Sequence, residues 1–335
     1  MKQWQLRAGA DISPLQQREI EAPKPQFGEV AIRVRAASLN YRDLILAGNP
    51  KIENVVPLSD GAGEIIAIGE GVSEWKVGDR VCVNFFRDWQ SGRFQNRYHD
   101  AALGGSVDGM LSEIVTFPAH SLVEIPAHFS FEDAATLPCA ALTAWCGLQR
   151  GQFTPGDSVL LQGTGGVSIW GLQIVVAAGG SAIITSSSDE KLERAREMGA
   201  NFGINYKTAP DWDKEVWRIT AKRGVDHVLE VGGPETLGKS LSSVASGGHI
   251  AQIGVLTGFA APDVSLFPLV SKNATMSGIY VGDVESFAAF VRFLNATKIQ
   301  PVIDKTFAFE NALDAYAYLK SGAHFGKIVI SIQTL

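Results

Sequence analysis

Alternation of apolar strands with helices, from residue 157 to about residue 254, constrains this chain more than any other feature of its sequence. The predicted strands are SVLLQ, SAIITS, FGINY, HVLEVG and HIAQIGV, and helical segments such as DEKLERAREMGA lie between them. Repeated strand–helix units cross over with one hand and so produce a parallel sheet covered by helices on both faces. We therefore predict an α/β domain with a doubly wound parallel sheet.

A glycine-rich turn, GTGGVS, lies between the first of these strands and the helix that follows it. Gly163 permits a tight turn, and Gly165 has no side chain to keep an anion away from the backbone N–H groups and the helix N-terminus. Ser168 stands where a third glycine is usual, and its small side chain is tolerable there. The turn is interpreted as a pyrophosphate site, an ordinary βα turn without cofactor being the alternative. The predicted contacts are Gly163, Thr164, Gly165, Gly166 and Val167.

The end of the second strand indicates which dinucleotide is bound. An acidic residue at this place would bind the ribose 2′-OH of NAD, but the strand ends in serines and the first acid, Asp189, already belongs to the next helix. Ser186 is neutral and Lys191 is close in sequence, a combination that accepts a 2′-phosphate. Ser188 also fits a helix N-cap, and both interpretations can hold together. The sequence thus favours NADP(H) over NAD(H).

The first third of the chain has short alternating strands separated by turns, as in GEVAIRVRAASL, which is typical of a compact barrel-like β domain. Residues 84–109 lack this periodicity and form either a working loop or a mobile one. Its arginines, Arg87, Arg93 and Arg97, favour an anionic acceptor or, more simply, a solvated loop. Two helices and the strand GKIVIS then return to the first domain. We expect domain segments at 1–130, 131–279 and 280–335, the last completing the first.

Composition excludes several classes of function. The net charge is −6, whereas a nucleic-acid surface needs clustered Lys and Arg. No stretch resembles a signal peptide or a membrane span. The three cysteines, Cys82, Cys139 and Cys146, have no framework spacing, which favours a reducing compartment. We expect a cytoplasmic protein with neither nucleic acid nor membrane as a partner.

Several motifs together resemble the medium-chain dehydrogenase/reductase superfamily, specifically its zinc-free, quinone-oxidoreductase-like branch, which is often labelled zinc-type alcohol dehydrogenase. They are SLNYRD, GAGEIIAIGEGV with VGDRV, ATLPCAALTAW, GTGGV, EMGANFGINY and HFGKIVI, and they cover nearly the whole chain. The resemblance implies a GroES-like β-barrel catalytic domain, a Rossmann domain and a cleft between them for the nicotinamide. It also implies homodimers or homotetramers, here through the edge strand in TMSGIYV, at residues 275–281.

Many members of the superfamily hold a catalytic zinc, and by the resemblance its three ligand positions match Asn40, Ser59 and Cys139 here. Only Cys139 can still bind, and tetrahedral zinc needs three protein ligands. The region of a second, structural zinc contains no cysteine, and the six histidines show no paired metal spacing. We therefore predict no metal, and interpret Cys139 as a small buried hydrophobe, with a functional thiol as the alternative.

The resemblance also implies catalytic residues. Asn40 would lie near the nicotinamide and the acceptor, and Asp43 would help to shape the site. Tyr41 is the best-placed proton donor, although an aromatic ring packed beside the cofactor is equally consistent. Thr143 would touch the nicotinamide or, alternatively, bond to its own helix backbone. Arg42 would stabilise an anion or form a surface ion pair.

Further cofactor contacts follow from the resemblance and from their position after strands. Tyr206 would lie near the adenosine phosphate. Gly232 and Gly254 follow strands, and cofactors bind at the carboxyl ends of the strands in such sheets. Phe325 and Lys327 would close the cleft, an ordinary structural strand being the simpler alternative.

Without a Lewis acid, oxidation of an alcohol loses transition-state stabilisation, whereas an electron-poor acceptor takes hydride more easily. We therefore expect an NADPH-dependent oxidoreductase that reduces a quinone or an α,β-unsaturated carbonyl. One alternative is a metal-free dehydrogenase of alcohols or aldehydes. The other is a non-enzymatic NADPH-binding sensor or structural protein.

Overall fold

The chain forms two units, each with its own sheet. The computed structural model describes residues 1–7, 15–259 and 264–333. One unit contains Met1–Leu142 and Val281–Leu335, and the other contains Thr143–Tyr280. They are called the split unit and the inserted unit below.

The described residues contain the following elements. The strands are β1 (Lys2–Gln5), β2 (Gln16–Glu19), β3 (Glu29–Leu39), β4 (Asp60–Ile68), β5 (Arg80–Val83), β6 (Ile114–Pro118), β7 (Leu122–Glu124), β8 (Ser158–Leu161), β9 (Ser181–Ser186), β10 (Phe202–Asn205), β11 (Val225–Glu230), β12 (Val244–Gln252), β13 (Thr275–Gly278), β14 (Ile303–Ala308) and β15 (Lys327–Ser331). The helices are α1 (Tyr41–Ala47), α2 (Phe131–Ala134), α3 (Leu142–Arg150), α4 (Gly166–Ala177), α5 (Asp189–Glu197), α6 (Trp212–Ile219), α7 (Pro234–Ser243), α8 (Phe267–Ser271), α9 (Val284–Thr297) and α10 (Ala312–Ser321).

The inserted unit is built on a parallel sheet with the strand order β10-β9-β8-β11-β12-β13. This order reverses direction between β8 and β11, as in doubly wound dinucleotide folds, so the predicted sheet is confirmed. Its central strands are apolar on both faces, with Leu160, Val228 and Ile250 fully buried, because helices cover both sides. The turn after β8 and the turn after β11 therefore leave the same edge of the sheet.

The split unit has a mixed sheet in the order β14-β15-β3-β4-β5-β7, and β6 also pairs with β3. The long strand β3 is antiparallel to both β4 and β15. Its last residues pair Ser38 with Asp60 on one side and Leu39 with Ile328 on the other. The register thus brings Asn40, Asp60 and Lys327 to one place, although they are far apart in the sequence.

The predicted helix around Pro138 is interrupted. After α2, one π-helical turn over Leu137–Ala141 contains the proline, and α3 begins at Leu142. Helix α2 packs against β3, β4 and β15. Residues 131–142 therefore group with the split unit, and the first boundary lies after Leu142 where the sequence suggested residue 130.

The unperiodic stretch at 84–109 is packed through its own aromatic rings. Phe94 lies 5.2 Å from Phe86 and 5.0 Å from Trp89 between ring centroids. Trp89 in turn stacks on Tyr98 at 5.9 Å. Aromatic contacts thus pack this loop, whose Arg93 and Arg97 are exposed. Separately, none of the helices in the described ranges has the length and hydropathy needed to cross a bilayer.

A buried histidine in the inserted unit makes stability depend on pH. Burial, followed by the nearby His227 and Arg150, lowers the pKa of His249 from 6.5 to about 4. The unfolded chain therefore binds the proton more readily than the folded one between these values, so the contribution of His249 to stability falls as pH drops from 6.5 towards 4.

We predict that His249→Phe removes this loss, which amounts to at most about 3 kcal/mol. Urea unfolding of the wild type and the variant from pH 7.5 to pH 4 measures it, and other titrating groups cancel in the difference between the two. His120→Gln, which changes an exposed histidine, is the control and keeps the wild-type profile. Parallel curves for the wild type and His249→Phe would contradict the assignment.

Candidate active site

The glycine turn after β8 presents open space to a ligand. Gly163 has φ +70° and its N–H donates to the Thr185 hydroxyl at 3.2 Å. Gly165 is the N-cap of α4. A Cβ at either glycine would meet no atom within 4 Å. The first amides of α4 have no acceptor within the helix, so this concave turn suits a phosphate anion.

Ser168, which replaces the third glycine, is buried and donates a hydrogen bond from its hydroxyl to the Gln162 carbonyl at 2.5 Å. The serine side chain therefore attaches the first turn of α4 to the end of β8, the two elements that a glycine would allow to approach.

A buried carboxylate connects this turn with the turn after β11. Glu230 is 0% exposed, and its Oε2 accepts from the Gln162 amide at 2.7 Å. Its Oε1 accepts from the Gly233 N–H at 2.8 Å and from the Thr236 hydroxyl at 2.5 Å. The Ser240 hydroxyl donates to Oε2 as well. Four neutral donors thus bind the Glu230 carboxylate between the two turns. The sequence analysis missed this group, although polar residues ending the strands SVLLQ and HVLEVG are its signal.

The residues predicted to contact the adenosine part of the cofactor lie near the end of β9. The Tyr206 N–H donates to the Ser186 carbonyl at 3.0 Å. The Ser188 hydroxyl accepts from the Lys191 N–H at 3.3 Å, so Ser188 is the helix cap that the sequence suggested. Asp189 accepts from the Asn205 amide at 2.8 Å, and its carboxylate is therefore engaged with β10.

Gly232 and Gly254 lie at the same edge. The Gly232 N–H donates to the Gln162 Oε1 at 3.1 Å, and the Gly254 N–H donates to the Glu230 carbonyl at 3.0 Å. A Cβ on Gly254 would lie 1.9 Å from the Val231 carbonyl oxygen, so only glycine fits there. Thr143, buried at the start of α3, completes the predicted residues that belong to the inserted unit.

The second group of predicted residues lies in the split unit around Asn40. The Asn40 N–H donates to the Asp43 carboxylate at 2.7 Å. Lys327 donates from Nζ to the Asn40 Oδ1 and to the Leu39 carbonyl, each at 2.6 Å. The same ammonium lies 3.6 Å from Asp60 Oδ2. Asn40 is therefore fixed at its backbone by Asp43 and at its side chain by Lys327.

Charges in this group are almost completely buried. Lys327 is 2% exposed and Asp60 is 0% exposed. Burial raises the pKa of Asp43 to about 6, against the lowering effect of Arg42. The Arg42 guanidinium lies 4.5 Å from the Phe85 ring centroid, donates to the Leu103 carbonyl and lies 3.6 Å from Asp43 Oδ1. Arg42 thus forms an ion pair, as one of the two sequence interpretations suggested, but at a half-buried position. Sequence analysis missed Asp60, a charged residue within the apolar run VVPLSDGAG.

The residues at the expected zinc positions do not fit that metal. Asn40 Oδ1 already accepts from the Lys327 ammonium, and the Ser59 hydroxyl donates to Asp60 at 2.7 Å. Cys139, which is half-buried, is the only thiol at the three positions. An amide, a hydroxyl and one thiol beside an ammonium are not a ligand set for tetrahedral zinc, which needs three protein ligands.

The remaining two predicted residues differ in exposure. Tyr41 is the first residue of α1 and is 45% exposed, whereas Phe325 is fully buried. The predicted site residues thus form two groups, one in each unit. Their roles towards cofactor and acceptor remain predictions.

Two families match this chain. Residues 26–127 match the alcohol dehydrogenase GroES-like domain, and residues 166–296 match the zinc-binding dehydrogenase family. The zinc-type alcohol dehydrogenase-like protein C1773.06c of Schizosaccharomyces pombe is 44% identical, over 95% of each chain. The acryloyl-coenzyme A reductase of Metallosphaera sedula is 30% identical, over 94% of this chain and 95% of that protein.

Solved structures agree with these matches. A protein of Sinorhizobium meliloti 1021 has a TM-score of 0.90 at 38% identity, with 99% of each chain covered. An NAD-dependent alcohol dehydrogenase has a TM-score of 0.89 at 29% identity, over 99% of this chain and 100% of that one. A quinone oxidoreductase of Pseudomonas syringae pv. Tomato DC3000 has a TM-score of 0.83 at 26% identity, over 98% of this chain and 99% of that one.

The chain belongs to the medium-chain dehydrogenase/reductase superfamily, with a GroES-like β-barrel catalytic domain and a Rossmann domain. Within that superfamily it belongs to the quinone-oxidoreductase-like branch. It is an oxidoreductase, as the sequence predicted.

The open space at Gly165 yields a test of the phosphate site. Its φ of −81° suits any residue, so Gly165→Ala costs the apo protein no more than about 1 kcal/mol through the weaker N-cap. Its methyl group would occupy the predicted phosphate position, and we expect dinucleotide affinity to fall at least about tenfold. Titration calorimetry measures the affinity. Gly238→Ala, on helix α7 where the nearest atom to an added Cβ is 4.0 Å away, is the control and keeps it. Unchanged binding in Gly165→Ala would contradict the site.

Proposed function

We propose that this protein uses NADPH to reduce a quinone or an α,β-unsaturated carbonyl compound, without a metal ion. The observation that carries the proposal is the buried Lys327 ammonium bonded to Asn40 Oδ1, where a zinc-dependent relative would need a metal ligand. The site therefore offers hydrogen-bond donors and a positive charge in place of a Lewis acid. Such groups stabilise an oxyanion that forms during reduction.

The direction of the reaction follows from this donor set. Removing hydride from an alcohol requires its oxygen to lose a proton, which zinc assists by lowering the pKa of the bound group. An electron-poor alkene or quinone needs no such activation. The reduced nicotinamide, when bound, supplies the hydride. The protein's own residues then orient the acceptor, exclude water and stabilise the negative charge on its oxygen.

The cofactor is proposed to bind the Rossmann domain at the glycine turn. Gly163 and Gly165 leave room for the pyrophosphate, and the first amides of α4 provide N–H donors for it. At the end of β9, Ser186 carries no charge that would repel a 2′-phosphate. The nearest acid in the sequence, Asp189, is bound by Asn205. These features support NADP(H), with Lys191, Tyr206, Gly232 and Gly254 as further contacts.

Tyr41 is proposed as the proton donor that completes reduction, because its phenol is 45% exposed and follows Asn40 directly. Thr143 is proposed to contact the nicotinamide, and Phe325 to line the site. A homo-oligomer joined through the edge strand β13 and a cytoplasmic location belong to the same proposal. Cys82, Cys139 and Cys146 form no disulfide in the described part of the chain, which is consistent with a reducing compartment.

Similarity to an acryloyl-coenzyme A reductase and to a quinone oxidoreductase supports reduction of electron-poor acceptors. Similarity to an NAD-dependent alcohol dehydrogenase supports the second candidate, a dehydrogenase of alcohols or aldehydes. An NADPH sensor without turnover is the third. A panel of 1,4-quinones, enones and simple alcohols, followed at the NADPH absorbance band, separates the three.

We predict turnover with quinones or enones and little with simple alcohols, before and after treatment with a chelator. Activity with alcohols alone, restored by zinc after chelation, would replace the proposal with the second candidate. Thermal stabilisation by NADPH without turnover of any acceptor would replace it with the third.

The cofactor preference has its own test at Ser186. Ser186→Asp places a carboxylate where the 2′-phosphate would lie, and it can accept a hydrogen bond from the ribose 2′-OH of NADH. We expect the ratio of kcat/KM for NADPH to that for NADH to fall at least about tenfold, which corresponds to about 1.4 kcal/mol. Ser186→Asn, of equal size but neutral, is the matched control. An equal effect of both substitutions would show that charge is not the cause.

A further inference from the structure

We propose that Lys327 is a positioning residue that acts through Asn40. Its ammonium fixes the Asn40 amide with Nδ2 directed away from Lys327, as the hydrogen-bond donor for the acceptor's oxygen. The inference deepens the proposed function and rests on it. It also assigns Lys327 a task other than the cofactor contact that the sequence suggested.

The orientation of the Asn40 amide is determined by the chemistry of its partner. A lysine ammonium has three donors and no acceptor, so the amide atom that it contacts at 2.6 Å must be the oxygen. A second hydrogen bond, from Nζ to the Leu39 carbonyl at 2.6 Å, holds the ammonium itself in place. Reversing the amide would set two N–H groups against a cation. The Asn40 side chain therefore has one permitted orientation.

The opposite end of this amide has no partner. Asn40 Nδ2 is buried and makes no hydrogen bond within the part of the chain that the structure describes. Buried donors are rarely left without an acceptor, because they lose their hydrogen bonds to water on burial. Nδ2 can therefore donate to an oxygen that a ligand or a water supplies. Asp43 keeps Asn40 at this position by accepting its backbone N–H.

The surrounding charges strengthen the donor. An ammonium bonded to Oδ1 withdraws electron density through the amide, and hydrogen bonds in series polarise one another. The Lys327 charge is balanced by Asp60, whose Oδ2 lies 3.6 Å away and whose Oδ1 accepts from the Ser59 hydroxyl. The Asp60 carboxylate therefore balances the buried ammonium but does not itself accept a hydrogen bond from Asn40 Nδ2.

The fitting ligand is a carbonyl oxygen that gains negative charge. When hydride adds to the β-carbon of an enone, the pair of π electrons moves to the oxygen and forms an enolate. Nδ2 donates a hydrogen bond to this oxygen and keeps its own protons. The proton that returns the product to a ketone adds at the α-carbon from a separate donor. A quinone follows the same course, with the charge on a quinol oxygen.

A double-mutant cycle tests the proposal. Lys327→Met removes the ammonium at similar length, and Asn40→Ala removes the amide. We expect Lys327→Met to lower kcat for an enone by about 10- to 100-fold, as for loss of an oxyanion donor, and to leave the dissociation constant of NADPH within about twofold. In the Asn40→Ala background, the same substitution should lower kcat by less than about threefold, because its target is already absent.

Lys327→Arg, which retains donors for Oδ1, should recover part of the activity lost in Lys327→Met. Lys320→Met, at an exposed lysine, is the control and keeps wild-type kcat. Equal losses from Lys327→Met in both backgrounds would overturn the proposal. So would a selective loss of NADPH affinity, which would return Lys327 to the role of a cofactor contact.

A second readout separates this inference from the proposed function. In protein labelled with ¹⁵N at asparagine side chains, Asn40→Ala identifies the Asn40 NH₂ signal. We expect Lys327→Met to shift that signal and to speed its exchange with solvent. If the wild type reduces no acceptor, the proposed function fails, and this signal still tests the amide orientation. An unchanged signal would refute the contact whatever the activity.

Discussion

A buried ammonium is the constraint on which the split unit's site depends. Lys327 is 2% exposed, and a charge at such a position is tolerated only when hydrogen bonds and an opposite charge surround it. The Leu39 carbonyl, the Asn40 amide oxygen and the Asp60 carboxylate meet this requirement. These three groups lie at the end of β3 and the start of β4, and Lys327 itself begins β15. The register of β3 with β4 and β15 is therefore also the condition for a correctly placed Asn40.

The inserted unit uses a buried charge in a similar way but with neutral partners. Glu230 accepts hydrogen bonds from Gln162 at the end of β8, from Gly233 in the turn after β11, and from Thr236 and Ser240 of α7. These hydrogen bonds satisfy both oxygens of the buried carboxylate. It holds the turns after β8 and β11 at a fixed separation. In each unit, one buried side chain thus fixes its neighbours: Lys327 fixes the Asn40 amide, and Glu230 fixes the two glycine-containing turns.

Local patterns were sufficient to predict part of this arrangement. The strand–helix alternation predicted the parallel sheet, and the glycine turn and the Ser188 cap are properties of a few neighbouring residues. The contact between Asn40 and Lys327 joins residues 287 positions apart, so no local pattern reveals it. The Glu230 group likewise depends on the pairing of β8 with β11. The aromatic packing of residues 84–109 has no period, and the turn around Pro138 shifted a boundary that composition alone placed too early.

The central claim is that hydride passes directly from the nicotinamide to an electron-poor carbon without a metal ion. The most direct measurement uses chelator-treated, metal-analysed protein in a single turnover with an enone and NADPH in which both hydrogens at C4 of the nicotinamide are deuterium. The account predicts full activity and deuterium at the β-carbon of the product. Loss of the label to solvent, or activity that disappears with the chelator and returns with zinc, would contradict it.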